Sequence, residues 1–438
     1  MINYRQTAKK ATKRAVWATL LFLLFYLFYN IELIREKTED FGFDIVNKFH
    51  VFNKEQNVDS PKVMIFVYDD LYMKQKKFLD SKNRTTYGYG FPRDNIAEFI
   101  NNLDELCEEL DDNSSPKALF VDYDFSFSTT PYGKVASAED IKFIDTLKKP
   151  HQYTILLPQL SDDYNFIKNY PDRKLQQAIK NDKIKFVSVS LLSSNGVIRR
   201  YKGFDSFKGG NVTSVDIELW KIATNQTRAN FDKDDIIANR VLFKNYRDPT
   251  VEEDCVQTHS LYSTLTKYSV NCSLFELPYE EYNNSIIMLG STFVGNGDNF
   301  NVLDVLGAKT LNGIDIHANT LMTMLTLNSP LQRLSWFPSM IIVFLSFFLI
   351  DFSSLLLLQR FNIENYKVEL ILVLVLSSTV LFYISVLLLD KWYLWFNWSV
   401  PVILLQLVEI IVLVQKKSPK LVFKFTKILK FIKVFKKW

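Results

Sequence analysis

Charged side chains stand where apolar runs end in the middle of this chain, a placement that suits ligand binding. Asp69 ends the run VMIFVYD (63–69) and Asp70 follows it. Asp122 and Asp124 lie in KALFVDYDF (117–125), and Arg93 opens the helical pattern PRDNIAEFINNLDELCEEL (92–110). Ligands of open α/β sheets sit in the crevice at the carboxyl ends of the strands. These five residues therefore form the candidate rim of such a crevice, with Arg93 able to pair with the acids. The structural alternative is that the acids cap helices and that Arg93 bridges to Asp122, holding helix to sheet.

Enzyme chemistry has no comparable placement. His50, His151, His259 and His317 lie far apart, with no HExxH and no i,i+4 pair, so no metal site is expected. There is no GxGxxG and no Walker A, and GKVAS around Gly133 lacks the leading glycine of a phosphate loop. No cofactor and no catalysis are expected. His317 stands on the helical pattern IDIHANTLMTML (314–325), where a hydrogen-bonded structural histidine is the expected role. Cys255 and Cys272 are separated by 17 positions, and a bridge closing that loop would contribute about 3 kcal/mol in an oxidising compartment. Unpaired thiols are the alternative. Cys107 falls on the apolar side of the helix over 94–110, which suggests burial.

The elements that position these residues follow from hydropathy. Four apolar segments are long enough to cross a bilayer: 15–34, 337–358, 368–389 and 394–414. Charge orients them. Residues 1–14 carry five basic groups and residues 415–438 carry nine lysines, with no acid in either stretch. Removing those fourteen from 52 basic groups leaves 38 against 48 acids, so the rest of the chain stands at −10. The positive-inside rule then places 1–14, the loop between the second and third spans, and the tail 415–438 in the cytoplasm, and 35–336 outside. Trp392, Trp395 and Trp398 cluster at the outer interface in this scheme. Two carboxylates, Asp351 and Glu409, lie inside spans at a cost of about 2.5–3.5 kcal/mol each, so partners are expected. The choices are snorkelling toward Arg360 or Lys416, or a polar residue of another membrane protein.

Between the first and second spans, strand-like and helical runs alternate. VMIFVYD, KALFVDYDF, YTILLPQ, IKFVSVS (184–190) and SIIMLGS (285–291) read as strands, with 92–110, AEDIKFIDTL and 314–325 as helices. This pattern predicts an α/β domain with a largely parallel sheet and flanking helices, beside four transmembrane helices. The segment holding Cys255 and Cys272 reads as an inserted loop or hairpin. In the tail, Lys424, Lys427, Lys430, Lys433 and Lys436 are spaced by three and interleaved with apolar residues. Such a tail favours anionic lipid headgroups, at about 1 kcal/mol per lysine, or a protein partner; no nucleic-acid recognition motif accompanies it.

In order, the blocks YDD, FPRD, FVDYDFS, GVIRRY and LGSTFVGNGDNFNVLDVLGAKTLNGIDIHANTLMTML make the segment 40–328 resemble the CHASE2 domain, an extracytoplasmic sensory module of bacteria. The last block is the most specific: a strand ending in Gly290, a glycine-containing loop with Asp298, then Gly313 and Ile316-His317-Ala318 opening a helix. The resemblance implies one span before the domain and three after it. Relatives continue into a kinase or cyclase, whereas this chain stops about 24 residues past its last span, so an effector-less protein is expected. Two functions follow as expectations. One is a sensory or regulatory inner-membrane protein acting through membrane partners reached by its spans and tail. The other is a non-sensing scaffold or stabiliser of an inner-membrane complex, such as a flagellar motor or stator. A homo-oligomer is a further open reading. A reporter active only in the periplasm, fused after residue 438, is expected to be silent; activity there would overturn the topology.

Overall fold

Both faces of the run Val63–Tyr68 are apolar, which a strand sustains only where helices cover both sides of its sheet. The computed structural model of the chain describes every residue except 1–3, 29–31, 50–60, 81, 83, 87–90, 111–113, 131–134, 161–164, 195, 208–209, 227–240, 242–245, 248–255, 261–264, 294–297, 305–306, 328–331, 362–365, 393 and 405–438. It divides into two units: residues 1–50 with 332–438, and residues 51–331. Cys255, Glu409 and the tail lysines lie outside the described residues. The chain begins with α1 (Tyr4–Phe28) and α2 (Glu32–Phe49), both in the first unit.

The second unit opens with β1 (Val63–Tyr68), α3 (Asp70–Gln75), α4 (Arg93–Glu109), β2 (Ala118–Val121), α5 (Ala138–Leu147), β3 (Thr154–Pro158), α6 (Arg173–Lys180) and β4 (Ile184–Val187). It continues through β5 (Leu191–Ser194), β6 (Val197–Tyr201), β7 (Phe204–Phe207), β8 (Gly210–Thr213) and α7 (Val215–Thr224). Then come β9 (Tyr246–Arg247), β10 (Val256–Ser260), β11 (Leu265–Ser269), β12 (Ile286–Ser291), β13 (Asn299–Asp304), β14 (Gly307–Asn312) and α8 (Gly313–Leu327). Eight strands form one sheet in the order β4-β3-β2-β12-β1-β11-β10-β9. The strands from β4 to β11 in that order run parallel, and β10 and β9 pair antiparallel at the edge. The region read as an inserted hairpin is thus the β10–β11 pair, whose second strand extends the main sheet.

Strand alternation sorts the core into two layers. Met64, Phe66, Leu119, Val121, Ile155 and Leu157 face Ile96, Ile100 and Leu103 of α4 and Phe143 and Leu147 of α5. Ile65, Phe120 and Met288 face the other way, against Leu219 and Trp220 of α7 and Ile316 and Met322 of α8. The result is a three-layer α/β/α arrangement. A smaller sheet, β14-β13-β6-β5, and the hairpin β7–β8 complete the unit. Neither was expected from the sequence.

In the first unit, β15 (Gln332–Arg333), α9 (Trp336–Arg360), α10 (Tyr366–Trp392) and β16 (Leu394–Trp395) follow. Two of the described helical stretches, Trp336–Arg360 and Ile371–Leu389, are long and apolar enough to cross a membrane. α1 packs along α9. There Arg14 reaches the buried Asp351 at 2.8 Å, and Gln359 donates to Thr7 at 3.0 Å. Asp351 therefore has a partner within the chain, Arg14 of α1; Lys416 lies outside the described residues. The segment expected as a span from 394 begins instead with β16, which pairs with β15; residues 399–404 are helical. Trp395 and Trp398 are buried within this unit, whereas Trp392 is 63% exposed. Trp395 packs edge-on against Phe43 and donates to Glu39, while Trp398 donates to the Gly42 carbonyl at 3.2 Å. α2 thus covers 35–49, which the sequence reading assigned to the outer segment.

Arg93 is the anchor of the α4–α5 layer. Its guanidinium, 3% exposed, donates to Asp140 at 2.7 Å and to the Phe127 carbonyl, between the rings of Phe125 and Phe166 at 5.3 and 5.4 Å. Asp140 also closes the capping box of α5 with Ser137. The expected Arg93–Asp122 contact does not form, because Asp122 lies on the opposite face of β2. Removing one partner of a buried ion pair costs about 3–5 kcal/mol. Arg93→Ala is expected to lower stability by that amount in a chemical melt. Asp124→Ala, which loses the turn bond that its exposed carboxylate accepts from the Ser126 N–H and a screened charge near Arg93, should cost less than about 1 kcal/mol. Equal losses would contradict this assignment.

Candidate functional site

Strand parity sends Asp122 to the α7–α8 side. Phe120 faces that layer, and Asp122, two residues on, follows it past the carboxyl end of β2, its N–H still donating to the Leu289 carbonyl at 2.8 Å. β12 lies beside β2, so the loop after β12 brings Asp298 to the same edge. Asp298 holds the start of α8: the Gly313 N–H donates to its carboxylate at 3.0 Å and approaches its carbonyl at 3.1 Å. One turn along α8, His317 places Nδ1 3.1 Å from the carboxylate of Asp216. Asp216 is fully buried in the first turn of α7, after the N-cap Ser214. The His317 ring also meets Phe120 edge-on at 5.7 Å.

Two glycines make this approach feasible. A Cβ at Gly290 would lie 3.0 Å from that of Ile314, and one at Gly313 would lie 2.9 Å from Cγ of Asp298. Larger residues at either position would push α8 off the sheet.

These side chains border a cavity of about 320 Å³. Asp122, Asp298, Gly313 and His317 line it together with Val189, Leu191, Ser193, Gly196 and Ile198 of the β4–β6 region and Asn299, Phe300 and Asn301 of β13. Burial alone would draw the proton off His317, but the charge and hydrogen bond of Asp216, then Asp122 and Asp298, outweigh it and raise the pKa from 6.5 to about 9. The imidazole is cationic at neutral pH. Burial lifts Asp122 from 3.8 to about 7, against the pull of His317 and with the help of Asp298 and Asp216. Asp298 is raised too, again chiefly by burial, while His317 and the Gly313 N–H oppose the shift. Among the described residues no hydrogen bond engages the Asp122 carboxylate, and no group of three or more His, Cys, Asp or Glu is placed to hold a metal ion.

Of the five residues expected at the rim, the cavity takes Asp122. Asp69 caps α3, accepting from the Tyr72 N–H at 2.8 Å, and Asp70 begins that helix. Asp124 supports a turn, and Arg93 serves the other layer. Cys272 is buried, and Cys107 is buried with its thiol pushed up to about 12 by desolvation. Sequence reasoning missed Asp216, for which the one available signal was Ser214 ahead of the run VDIELW.

The class is thus a three-layer α/β domain with a charged cavity at its strand ends, in a chain with two described helical stretches long and apolar enough to cross a membrane. More particularly, residues 18–355 match the CHASE2 domain, and the chain belongs to this family of extracytoplasmic sensory domains. No curated protein and no solved structure matches it. Because His317 holds its proton more tightly folded than unfolded, its contribution is complete below pH 6.5 and lost as pH rises through about 9. The intact protein in detergent should lose roughly 3 kcal/mol across that window. His317→Gln should flatten the melting profile there; an unchanged slope would show that His317 is not the titrating group.

Proposed function

We propose that this chain is a sensory or regulatory protein of the bacterial inner membrane that binds a small ligand in the cavity at the carboxyl ends of β2 and β12. In this reading four helices span the membrane, both termini are cytoplasmic, and the α/β unit faces the periplasm. The chain performs no catalysis itself and acts through membrane partners. The lysines at 424, 427, 430, 433 and 436 engage those partners or anionic lipid. One observation carries the reading. In a sensory-family domain the half-buried carboxylate of Asp122 borders open volume, with no hydrogen bond among the described residues. A carboxylate whose pKa is shifted by burial and neighbouring charge at the wall of a cavity is a candidate ligand contact.

The test uses the full chain in nanodiscs and the small-molecule fraction of spent growth medium. A ligand at 100 times its Kd stabilises the folded state by about 2.7 kcal/mol, enough to move a melt by several degrees. The fraction should raise the Tm of the wild type and leave Ser193→Phe, which fills the cavity, unmoved. An equal shift in both proteins would place binding elsewhere.

A further inference from the structure

Charge and shape together narrow the ligand. Among the described residues His317 and Asp216 form an ion pair, and Asp122 and Asp298 are the other charged groups that line the cavity. Among the described residues neither Lys nor Arg lines it, and the Gly313 N–H is already committed to Asp298. A carboxylate or phosphate entering this space would meet two acids and one engaged imidazolium. Across from them, Val189, Leu191, Ile198 and Phe300 present apolar surface. At about 320 Å³ the cavity stands at the small end of ligand sites.

Resting on the reading of this cavity as a ligand site, we propose that it takes a small monocationic amine with an apolar body, the ammonium pairing with Asp122 and Asp298 and the body lying against Leu191, Ile198 and Phe300. A charge-assisted hydrogen bond to an ammonium gives Asp122 the partner it lacks within the described residues. Titration should report the same event. Asp122 is faced by His317 from α8, Asp216 from α7 and Asp298 from the loop before β13. His317 keeps its charge between pH 6 and 8, so Asp122 dominates the change in that range. A cation binds the ionised form, so affinity should rise about tenfold from pH 6 to pH 8 and a proton should leave on binding.

The experiment compares n-butylammonium, 1-butanol and butyrate, probes of similar shape and different charge, by calorimetry and thermal shift on the full chain in nanodiscs. Butylammonium alone should stabilise the wild type. Asp122→Asn should weaken it at least tenfold and remove the pH dependence, and Ser193→Phe should abolish binding. If butanol or butyrate binds instead and Ser193→Phe blocks it, the amine assignment falls while the cavity remains a ligand site. If butylammonium stabilises Asp122→Asn as well as the wild type, the assignment falls too. If no probe stabilises the wild type, both the assignment and the ligand-site reading are overturned.

Discussion

The approach of α8 to β12 is the constraint on which the site depends. Without side chains at Gly290 and Gly313, the first turn of the helix reaches the sheet and closes on Asp298. That turn then carries three further ties. Asp315 receives Lys267 of β11 at 2.9 Å, His317 meets Asp216 of α7, and Asn319 donates back to the Asp315 carbonyl at 2.8 Å. Each tie removes a buried polar group from the list of unsatisfied ones, which a helix end driven into a sheet requires. One helix thereby fixes the cavity's charges and the layer covering half of the main sheet.

The two layers handle buried charge differently. On the α4–α5 side, Asp140 is paired with Arg93 and accepts the N–H groups of Thr129 and Ser137, so its charge is compensated on several sides. On the α7–α8 side three carboxylates surround one imidazolium. Burial is the chief cause that raises Asp122 and Asp298, and for Asp122 the carboxylates of Asp298 and Asp216 add to it. The first network is closed by its own partners, whereas the second borders open volume.

Within the first unit the same logic operates on α9, a helix long and apolar enough to cross a membrane. A carboxylate in a span is costly, and Arg14 meets Asp351 from the adjacent helix, which also fixes the register of α1 on α9. Gly42 lets Asn397 and Ser399 come within 3.0 and 3.2 Å of where its Cβ would stand, and the indoles of Trp395 and Trp398 close over α2. Such contacts join residues more than 350 positions apart, and hydropathy carries no trace of them.

Several elements were legible because each follows from local periodicity. The strands β1, β2, β3, β4 and β12, the helices α4, α5 and α8, and the apolar stretches of α9 and α10 all stand where their patterns run. The composition of VMIFVY implied a strand covered on both faces, and the glycines of the last sequence block marked backbone that must approach closely. Partners were another matter. Asp69, Asp70, Asp122 and Asp124 share a composition, a strand-end position and a plausible tie to Arg93, yet Asp122 alone of the four lines the cavity. What separates them is the late insertion of β12 between β1 and β2, together with the parity that turns Asp122 toward α8 and away from α4. Hydrophobic period reports which face of an element is buried. It carries no information on which distant element covers that face, and the charge state of Asp122 and His317 is set by that covering layer.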